Sequence, residues 1–369
     1  MKVNFKLAEL RKRKRITQKE LGEALSVSMK TISKWETGAA YPDVTMLPVI
    51  SEYFGISVDM LLGIVPLEEE YKPSEAGRKE YWNDQIAYQE KIQKDLWNED
   101  YVQFLINNVW KIHKPVTVLD CGCGYGALGL MLLPMLPKNS KYIGVDFAEA
   151  MIEKAKKNFD KESYNSQFIL ADILKYETRE KYDMVICQSL LRHVNDGKSM
   201  LRKMIDFLKP GGLLVCVECN REFESHGLYV SGMAYEYLCA NTGLENMWLR
   251  QLETQGRDYS IAIKIPQYLQ EAGLKNIGCR INDKVILIEP EMSNYKQKLK
   301  DLVETEAWFD FNDEDKKITD LIKHGMTHVE AREFCEQQRE IGQNIKNNDA
   351  ISIVKIRGMI ITYGRKAKM

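Results

Sequence analysis

Apolar residues recur at three- and four-residue intervals throughout residues 1–63, in short runs separated by residues that cap helices. Thr17 precedes one run and Glu20 stands three positions later, which is the pattern of a capping box. Ser28 precedes the next run, and Gly38 follows its end, where glycine commonly terminates a helix. The pattern therefore predicts an all-α domain built from short helices.

The second and third predicted helices are joined by a tight turn at residues 25–28. A fourth helix is expected to begin at Pro42 and Asp43, and a short fifth helix at Ser57. Four side chains are expected to pack the second helix against the third: Ala24, Val27, Ile32 and Trp35.

The spacing of apolar residues changes after a polar segment. Residues 64–80 contain two prolines and a glycine, which indicates a linker, and residues 81–113 show helical spacing with many aromatic side chains. Beyond residue 116, short apolar runs alternate with helical segments, which is typical of a parallel sheet covered on both faces. Five of these runs predict strands: 116–120, 141–146, 166–172, 182–188 and 213–218.

Two longer runs follow, at 276–289 and 352–364, and both alternate as expected of antiparallel strands at a sheet edge. Insertions near 220–256 and 290–348 separate the later strands, and both are expected to form a helical lid. The chain is thus predicted to contain an all-α domain at 1–63 and an α/β domain at 81–369.

Charge separates the two predicted domains further. The net charge of the chain is −1, but residues 1–63 contain ten Lys and Arg against seven Asp and Glu. A small basic domain favours a polyanionic partner. None of the eight cysteines lies in that domain. Several of the eight stand in apolar runs, which favours reduced thiols and a cytoplasmic protein. No apolar run reaches 18 residues, so no membrane-spanning helix is expected.

The sequence VLDCGCGYG at 118–126 places glycines where a predicted strand turns into a helix. Glycine permits positive φ and lets the backbone approach a ligand closely. Taken alone the loop is ambiguous, because Gly122, Gly124 and Ala127 also satisfy the dinucleotide-binding fingerprint.

Three more features narrow the interpretation. Asp146 ends the second predicted strand, Asp172 ends the third, and LKPGG at 208–212 leads into the fifth. Together with the acidic residue two positions before Gly122, they resemble the class I S-adenosylmethionine-dependent methyltransferases over about residues 110–290 and again at the final strand. The resemblance implies a Rossmann-like fold with a seven-stranded, mostly parallel sheet.

The resemblance also implies roles for individual residues. Asp120 would orient the methionine amino group through water, Asp146 would hold the ribose, and Asp172 would read the adenine edge. The complete set implied for S-adenosylmethionine is Asp120, Cys121, Gly122, Gly124, Asp146, Phe147, Met151, Asp172, Ile173 and Gln188.

The segment Leu7–Leu62, including ISKWETG, resembles the Cro/phage-repressor (Xre-type) helix-turn-helix family. The resemblance implies double-stranded DNA as a partner, with the second helix of the motif in the major groove, and a single motif of this kind suggests a homodimer. The residues implied to contact DNA are Gln18, Ser28, Met29, Lys30, Ser33, Lys34 and Thr37.

The methyl acceptor is expected to be a small molecule, because the motifs of the DNA-methylating enzymes are absent from the sequence. His193, after the fourth predicted strand, is the candidate catalytic base. A pair at Cys216 and Cys219 lacks a second pair with ligand spacing, so no metal site is expected. The alternative function is a transcriptional regulator whose methyltransferase fold senses S-adenosylmethionine or a metabolite without turnover.

Overall fold

The computed structural model describes residues 5–64, 81–83, 85–162, 164–240, 243–306, 314–348 and 350–368. The predicted linker 64–80 lies outside the described residues, except for its first residue. The chain forms two compact units. The first comprises the described residues of Met1–Tyr71, Asn241–Thr254 and Asp310–Arg339, and the second comprises those of Lys72–Ala240, Gln255–Phe309 and Glu340–Met369.

The N-terminal part of the first unit consists of short capped helices. They are Leu7–Arg13 (α1), Gln18–Ala24 (α2), Met29–Thr37 (α3), Met46–Phe54 (α4) and Val58–Leu61 (α5). The capping box at Thr17 and Glu20 is formed, the Ser28 hydroxyl accepts from the Thr31 N–H at 3.0 Å, and Gly38 ends α3 at φ 73°. These predictions from local residues are confirmed.

Two expectations for this helical part are wrong. Ala24 is exposed, and Leu21 and Leu25 pack α2 against Ile32 and Trp35 instead. The fourth helix begins at Met46 rather than at 42–43 because the Asp43 carboxylate first accepts the N–H of Thr45 at 2.9 Å, which forms a turn.

The second unit contains two sheets. Their strands are Thr117–Cys121 (β1), Lys141–Asp146 (β2), Ser166–Leu170 (β3), Tyr182–Gln188 (β4), Leu208–Cys219 (β5), Leu228–Val230 (β6), Lys275–Ile281 (β7), Val285–Ile288 (β8), Ile353–Ile356 (β9) and Met359–Arg365 (β10). The large sheet has the order β3-β2-β1-β4-β5-β10-β7, and β10 runs antiparallel to the other six strands. The predicted seven-stranded, mostly parallel sheet is confirmed.

The remaining helices follow in chain order. They are Ile86–Gln93 (α6), Glu99–Phe104 (α7), Ala127–Leu132 (α8), Glu149–Phe159 (α9), Gly197–Asp206 (α10), Arg221–Ser225 (α11), Tyr235–Leu238 (α12), Leu244–Gln255 (α13), Ile261–Glu271 (α14), Tyr295–Glu306 (α15), Glu314–Lys323 (α16) and His328–Asn347 (α17). A π-helical turn, Leu105–Val109, extends α7. None of the described helices is long and apolar enough to cross a membrane.

Both long alternating runs are broken, which the sequence did not predict. The run 276–289 divides into β7 and β8, and the run 352–364 divides into β9 and β10. In each case one half joins the large sheet and the other joins a small antiparallel sheet of order β6-β9-β8. The second break occurs at Arg357 and Gly358, where φ of the glycine is 62°.

Apolar side chains fill both faces of the large sheet. Tyr142 and Trp110 belong to the core on one face, and Leu214 and Ile265 belong to the core on the other. The small sheet packs its buried face, which includes Ile288 and Ile353, against a separate apolar cluster. The carboxyl ends of β1 to β4 therefore lie side by side on a rigid support, which is where α/β sheets place ligands.

Candidate active site and DNA-binding surface

The glycine loop after β1 has the geometry that its sequence predicts. Gly122, Gly124 and Gly126 have φ values of 73°, 54° and 81°, so all three occupy the left-handed region. The N–H groups of Gly122 and Cys123 donate to the carbonyl of Val145 at 2.8 and 3.1 Å, which fixes the loop to the end of β2. A Cβ on Gly122 would approach the Leu190 side chain at 2.9 Å. The loop is thus tightly held, and a side chain at position 122 would crowd Leu190.

Asp146 connects this loop to the next helix. Its carboxylate accepts the N–H of Gly124 and the N–H of Ala148, each at 2.9 Å. Burial raises the pKa of Asp146, and the backbone N–H groups act in the opposite direction. Each carboxylate oxygen has a second lone pair, so the residue can hold the loop in place and still accept from a ligand hydroxyl.

Asp120, at the end of β1, is 1% exposed and accepts the hydroxyl of Tyr142 at 2.5 Å. Its other oxygen, Oδ1, has no hydrogen-bond partner among the described residues. Burial raises the pKa of Asp120 to about 7, the Tyr142 hydroxyl lowers it, and the neighbouring Asp146 raises it further. A cationic ligand group at this carboxylate would favour its charged form.

The predicted adenine contacts lie at the neighbouring strand ends. Met151 on α9 is buried, and its Sδ would lie 3.9 Å from a Cβ on Gly124, whereas Phe147 is half-buried directly after β2. Asp172, two residues beyond β3, is partly exposed and accepts the N–H of Leu174 at 3.0 Å. Ile173 is buried. Phe147 and Asp172 thus follow the carboxyl ends of β2 and β3, the two strands that lie beside β1 on this side of the sheet.

On the other side, Gln188 ends β4 and is held by the segment that precedes the sheet. Its Oε1 accepts the indole N–H of Trp97 at 2.8 Å, and its amide nitrogen donates to Gln93 on α6 at 3.1 Å. Trp82 and Ile86, from the same segment, pack against the buried group of Tyr125, Ala148 and Met151. This segment therefore covers both the glycine loop and the end of β4.

Three aromatic residues of this segment, Tyr88, Trp97 and Tyr101, differ in their contacts, and Trp97 is the one that hydrogen-bonds to a predicted site residue, Gln188. Tyr88 is 43% exposed, and Tyr101 donates to the carbonyl of Ile281 at 3.1 Å.

In the first unit, most of the predicted DNA-contacting side chains are available to a ligand. Ser28, Met29, Lys30, Lys34 and Thr37 are exposed and Ser33 is half-buried, all on or next to α3. A Cβ on Gly22 would meet the carbonyl of Val27 at 2.7 Å, so glycine is required where α2 and α3 meet.

Gln18 is partly committed to an internal network. Its amide nitrogen donates to Glu36 at 2.9 Å, and Arg11 donates to both carboxylate oxygens of Glu36 at 2.6 and 3.0 Å. Burial alone would raise the pKa of Glu36, but Arg11 and Gln18 hold it below its ordinary value. An amide has two N–H donors, so one remains for a phosphate.

Family models match the part of the chain that forms the short capped helices and the part that carries the glycine loop. Residues 7–61 match the family model described as helix-turn-helix, and residues 112–272 match the model described as methyltransferase domain. The chain carries a helix-turn-helix domain followed by a methyltransferase domain.

Curated relatives of the methyltransferase domain include two ubiquinone biosynthesis O-methyltransferases. The one from Coxiella burnetii is 31% identical over 122 residues, which cover 32% of this chain and 50% of that protein. The one from Bradyrhizobium diazoefficiens is 32% identical over 118 residues, which cover 32% of this chain and 46% of that protein. The chain thus spans about half the length of the curated relatives it matches.

Similar solved structures include Haemonchus contortus phosphoethanolamine N-methyltransferase 2 in complex with S-adenosyl-L-methionine. It has a TM-score of 0.45 and 14% identity, with 82% of this chain and 61% of that chain covered. The cyclase SpnF has a TM-score of 0.47 and 13% identity, with 80% of this chain and 98% of that chain covered.

In the methyltransferase domain, His193 lies in a 3-10 turn, Leu191–His193, directly after β4. Its Nε2 is 3.0 Å from Arg192 Nε and its Nδ1 is 3.1 Å from Arg257 Nη2, while Trp82 packs edge-to-face at 5.0 Å. Guanidinium groups only donate, and a neutral imidazole has one acceptor nitrogen. For His193 to accept a proton from a substrate, one arginine must therefore move.

Sequence reasoning missed Glu218, which lies near the end of β5 in the methyltransferase domain and is fully buried. Its Oε1 accepts the N–H groups of Leu190 and Leu191 at 2.8 and 2.7 Å, so it fixes the turn that carries His193. Burial raises the pKa of Glu218, and Arg192 lowers it. A single carboxylate within the apolar run LLVCVEC is the sequence signal that would have identified it.

No group of three or more His, Cys, Asp or Glu side chains that could hold a metal ion occurs in the part of the chain that the structure describes.

Proposed function

We propose that the methyltransferase domain binds S-adenosylmethionine and transfers its methyl group to a small molecule, and that the helix-turn-helix domain binds double-stranded DNA. One observation carries the first proposal. Three positive-φ glycines and the buried Asp146 form one hydrogen-bonded unit at the carboxyl edge of the sheet, beside Asp120.

The residues at this edge fit the cofactor. The backbone of Cys121 to Gly124 would follow the methionine moiety, and the buried Oδ1 of Asp120 lacks a partner among the described residues, as a carboxylate awaiting an ammonium group would. Asp146 would accept from the ribose hydroxyls. Asp172 and the N–H of Ile173 would contact the adenine edge.

When bound, the cofactor supplies a methyl group that its sulfonium already activates. The protein then has to align the acceptor atom with that methyl group and exclude water, and alignment of this kind can contribute about 7–11 kcal/mol. The segment that contains Trp82, Gln93 and Trp97 is placed to close one side of the site.

Calorimetry with S-adenosylmethionine and with its demethylated product tests the proposal. We expect both to bind the intact chain, and Asp146→Asn to weaken binding by about tenfold or more because a charged acceptor is lost. Asp206→Asn, at an exposed carboxylate of α10, is the matched control. A folded wild-type protein that binds neither compound would refute the proposal.

A sensor without turnover is the second candidate, and the environment of His193 favours it, since both ring nitrogens face arginines. Incubation of methyl-labelled cofactor with a cell metabolite extract distinguishes the two candidates. Transfer of label to a small molecule supports the enzyme. Cofactor binding that changes DNA affinity without any transfer supports the sensor, since the two affinities must then be linked reciprocally.

For DNA, the exposed N-terminal part of α3 supports recognition in the major groove, with Lys30 placed to read a base edge. Selection from a random duplex library should return two related half-sites bound by a dimer. Lys30→Ala should reduce the preference at one position of each half-site by about 1–3 kcal/mol, whereas Thr37→Ala should weaken binding to all sequences alike. An unchanged preference in Lys30→Ala would contradict this assignment.

A further inference from the structure

A cluster of buried charges lies in the second unit, away from the glycine loop. Glu306, the last residue of α15, pairs with Lys355 of β9 and with Arg357, whose Nη1 lies 2.7 Å from Glu306 Oε1. Lys355 and Arg357 are each only 7% exposed. Burial would raise the pKa of Glu306, but the two cations hold it below its ordinary value.

A second pair, Arg221 and Glu224, adjoins this cluster. Burial would raise the pKa of Glu224, but Arg221, with support from Lys355 and Arg357, lowers it to about 2. The Glu306 cluster and this pair together contain three cations and two carboxylates. Buried cations in excess are costly unless each donor is paired.

Arg357 is the cation whose donors remain unmet. Its Nη1 is used by Glu306, but Nε and Nη2 are both buried and have no hydrogen-bond partner among the residues that the structure describes. Nε and Nη2 form one edge of the guanidinium plane, and such an edge matches two oxygens of a carboxylate or a phosphate. The pairing with Glu306 fixes the orientation of this edge.

Arg357 lies beside the carboxyl end of β5. It occupies the turn between β9 and β10, and its carbonyl oxygen lies 3.2 Å from the Sγ of Cys219, the last residue of β5. Arg357 also lowers the pKa of Tyr88, although burial, the largest effect, raises it. Tyr88 therefore lies within electrostatic range of the guanidinium.

The helix that carries Tyr88 connects this cluster to the proposed methyl-donor site. Tyr88 and Gln93 both belong to α6, about 7.5 Å apart along its axis, and Gln93 accepts from Gln188 at the end of β4. The same helix packs against α15, and Lys91 pairs with Glu304 at 2.6 Å. Arg357 is thus close to the strand ends where an acceptor would meet the donor.

We propose that the Nε–Nη2 edge of Arg357 binds an anionic group of the methyl acceptor, either a carboxylate or a phosphate. The identification of this anion as part of the methyl acceptor rests on the proposed methyltransferase function. Anion binding itself can be measured without that assumption. The acceptor would then be an acidic small molecule, anchored by its anion while another part of it meets the methyl group.

The test is an NMR titration of the intact protein that follows the Nε–H resonance of Arg357, assigned by its absence from the spectrum of Arg357→Gln. The probes are benzoate, phenyl phosphate and the neutral benzamide at constant ionic strength, with and without the demethylated cofactor. We expect benzoate or phenyl phosphate to shift this resonance and benzamide to leave it unchanged. A stronger response to benzoate identifies a carboxylate, and a stronger response to phenyl phosphate identifies a phosphate ester.

Thermal protection by the same probes then compares variants. Arg357→Gln should bind the effective anion about tenfold more weakly or worse, because a charge-assisted pair is lost. Arg202→Gln, at an exposed arginine of α10, should bind it as the wild type does.

The proposal is overturned if neither anion raises the unfolding temperature of the wild type, a result that needs no variant to fold, or if both anions protect Arg357→Gln as well as the wild type. Cofactor calorimetry on the same samples reports separately on the methyltransferase function.

Discussion

Two regions of the second unit bury charge in opposite ways. At the carboxyl ends of β1, β2 and β5, the carboxylates of Asp120, Asp146 and Glu218 are buried and accept from N–H, O–H and S–H donors, with one oxygen of Asp120 and one of Glu218 left without a hydrogen bond among the described residues. In the cluster around Glu306, carboxylates are paired directly with cations, and the unpaired atoms belong to Arg357.

The difference shows what each region can bind. Buried acids that form no direct ion pair among the described residues favour a cationic ligand, and S-adenosylmethionine carries both a sulfonium and an ammonium group. A buried guanidinium with a free edge favours an anion. The two regions together would orient a positively charged donor and a negatively charged acceptor towards each other.

The comparison is tested most severely at Glu306. Glu306→Gln keeps the shape but removes the carboxylate that pairs directly with Lys355 and Arg357, so we expect the free energy of unfolding to fall by about 3–5 kcal/mol. Urea unfolding measures the change. Glu304→Gln, two residues earlier on α15 and paired with Lys91 at the surface, should lower the free energy of unfolding far less, because solvent screens a surface pair. Equal losses of unfolding free energy in the two variants would mean that the Glu306 cluster contributes no more to stability than a surface ion pair does.

Removing the charge of Asp120 should stabilise the folded protein, whereas removing the charge of Glu306 should destabilise it. The pKa of about 7 in the folded protein exceeds the ordinary value of an exposed aspartate, about 3.9. The carboxyl therefore contributes stability that is complete below that ordinary value and is lost as the pH rises through about 7.

Without cofactor, Asp120→Asn should thus be more stable than the wild type at pH 8, on the order of 2–4 kcal/mol, with no such advantage at pH 3.5. The mutant should also bind S-adenosylmethionine more weakly at pH 8. Thermal unfolding at the two pH values, together with calorimetry, measures both effects. Destabilisation of Asp120→Asn at pH 8 would contradict the picture of a costly buried acid.

The smallest expected effect distinguishes backbone strain from crowding at the loop. Gly122→Ala forces a Cβ onto φ 73° and against Leu190, whereas Gly232→Ala meets the same kind of φ, 83°, with nothing within 4 Å. Each should lose about 1–3 kcal/mol to strain, but only Gly122→Ala should also lose cofactor binding. Retained binding in Gly122→Ala, measured by calorimetry, would remove the loop from the proposed site.

What the sequence predicted depends on how local each cause is. The caps at Thr17, Ser28 and Gly38 act within a few residues and were predicted correctly. The strands 141–146 and 182–188 agree with β2 and β4, because buried apolar runs between turn signals have few alternatives. The strand pairing was not predictable, because β7 and β8 come from one continuous strand-like run of sequence although they belong to different sheets.

The candidate site shows the same division. Asp146 and Asp172 were placed by their position at strand ends, which the motif indicates directly. The environment of His193 was not predictable, because one of its arginine neighbours, Arg257, comes from a distant part of the chain. Arg357 was hidden for the same reason, since the run 352–364 gives no sign that the chain changes sheets there.

The place of β10 in the large sheet has a consequence for how the protein is made. β10 lies between β5 and β7, and it hydrogen-bonds to both of them. During synthesis, β7 therefore has no neighbour to pair with until residues 359–365 have left the ribosome, and the long sequence separation between β5 and β10 makes their pairing slow. The capped helices of residues 5–64 need no such late segment and can form while the ribosome is still translating the sheet.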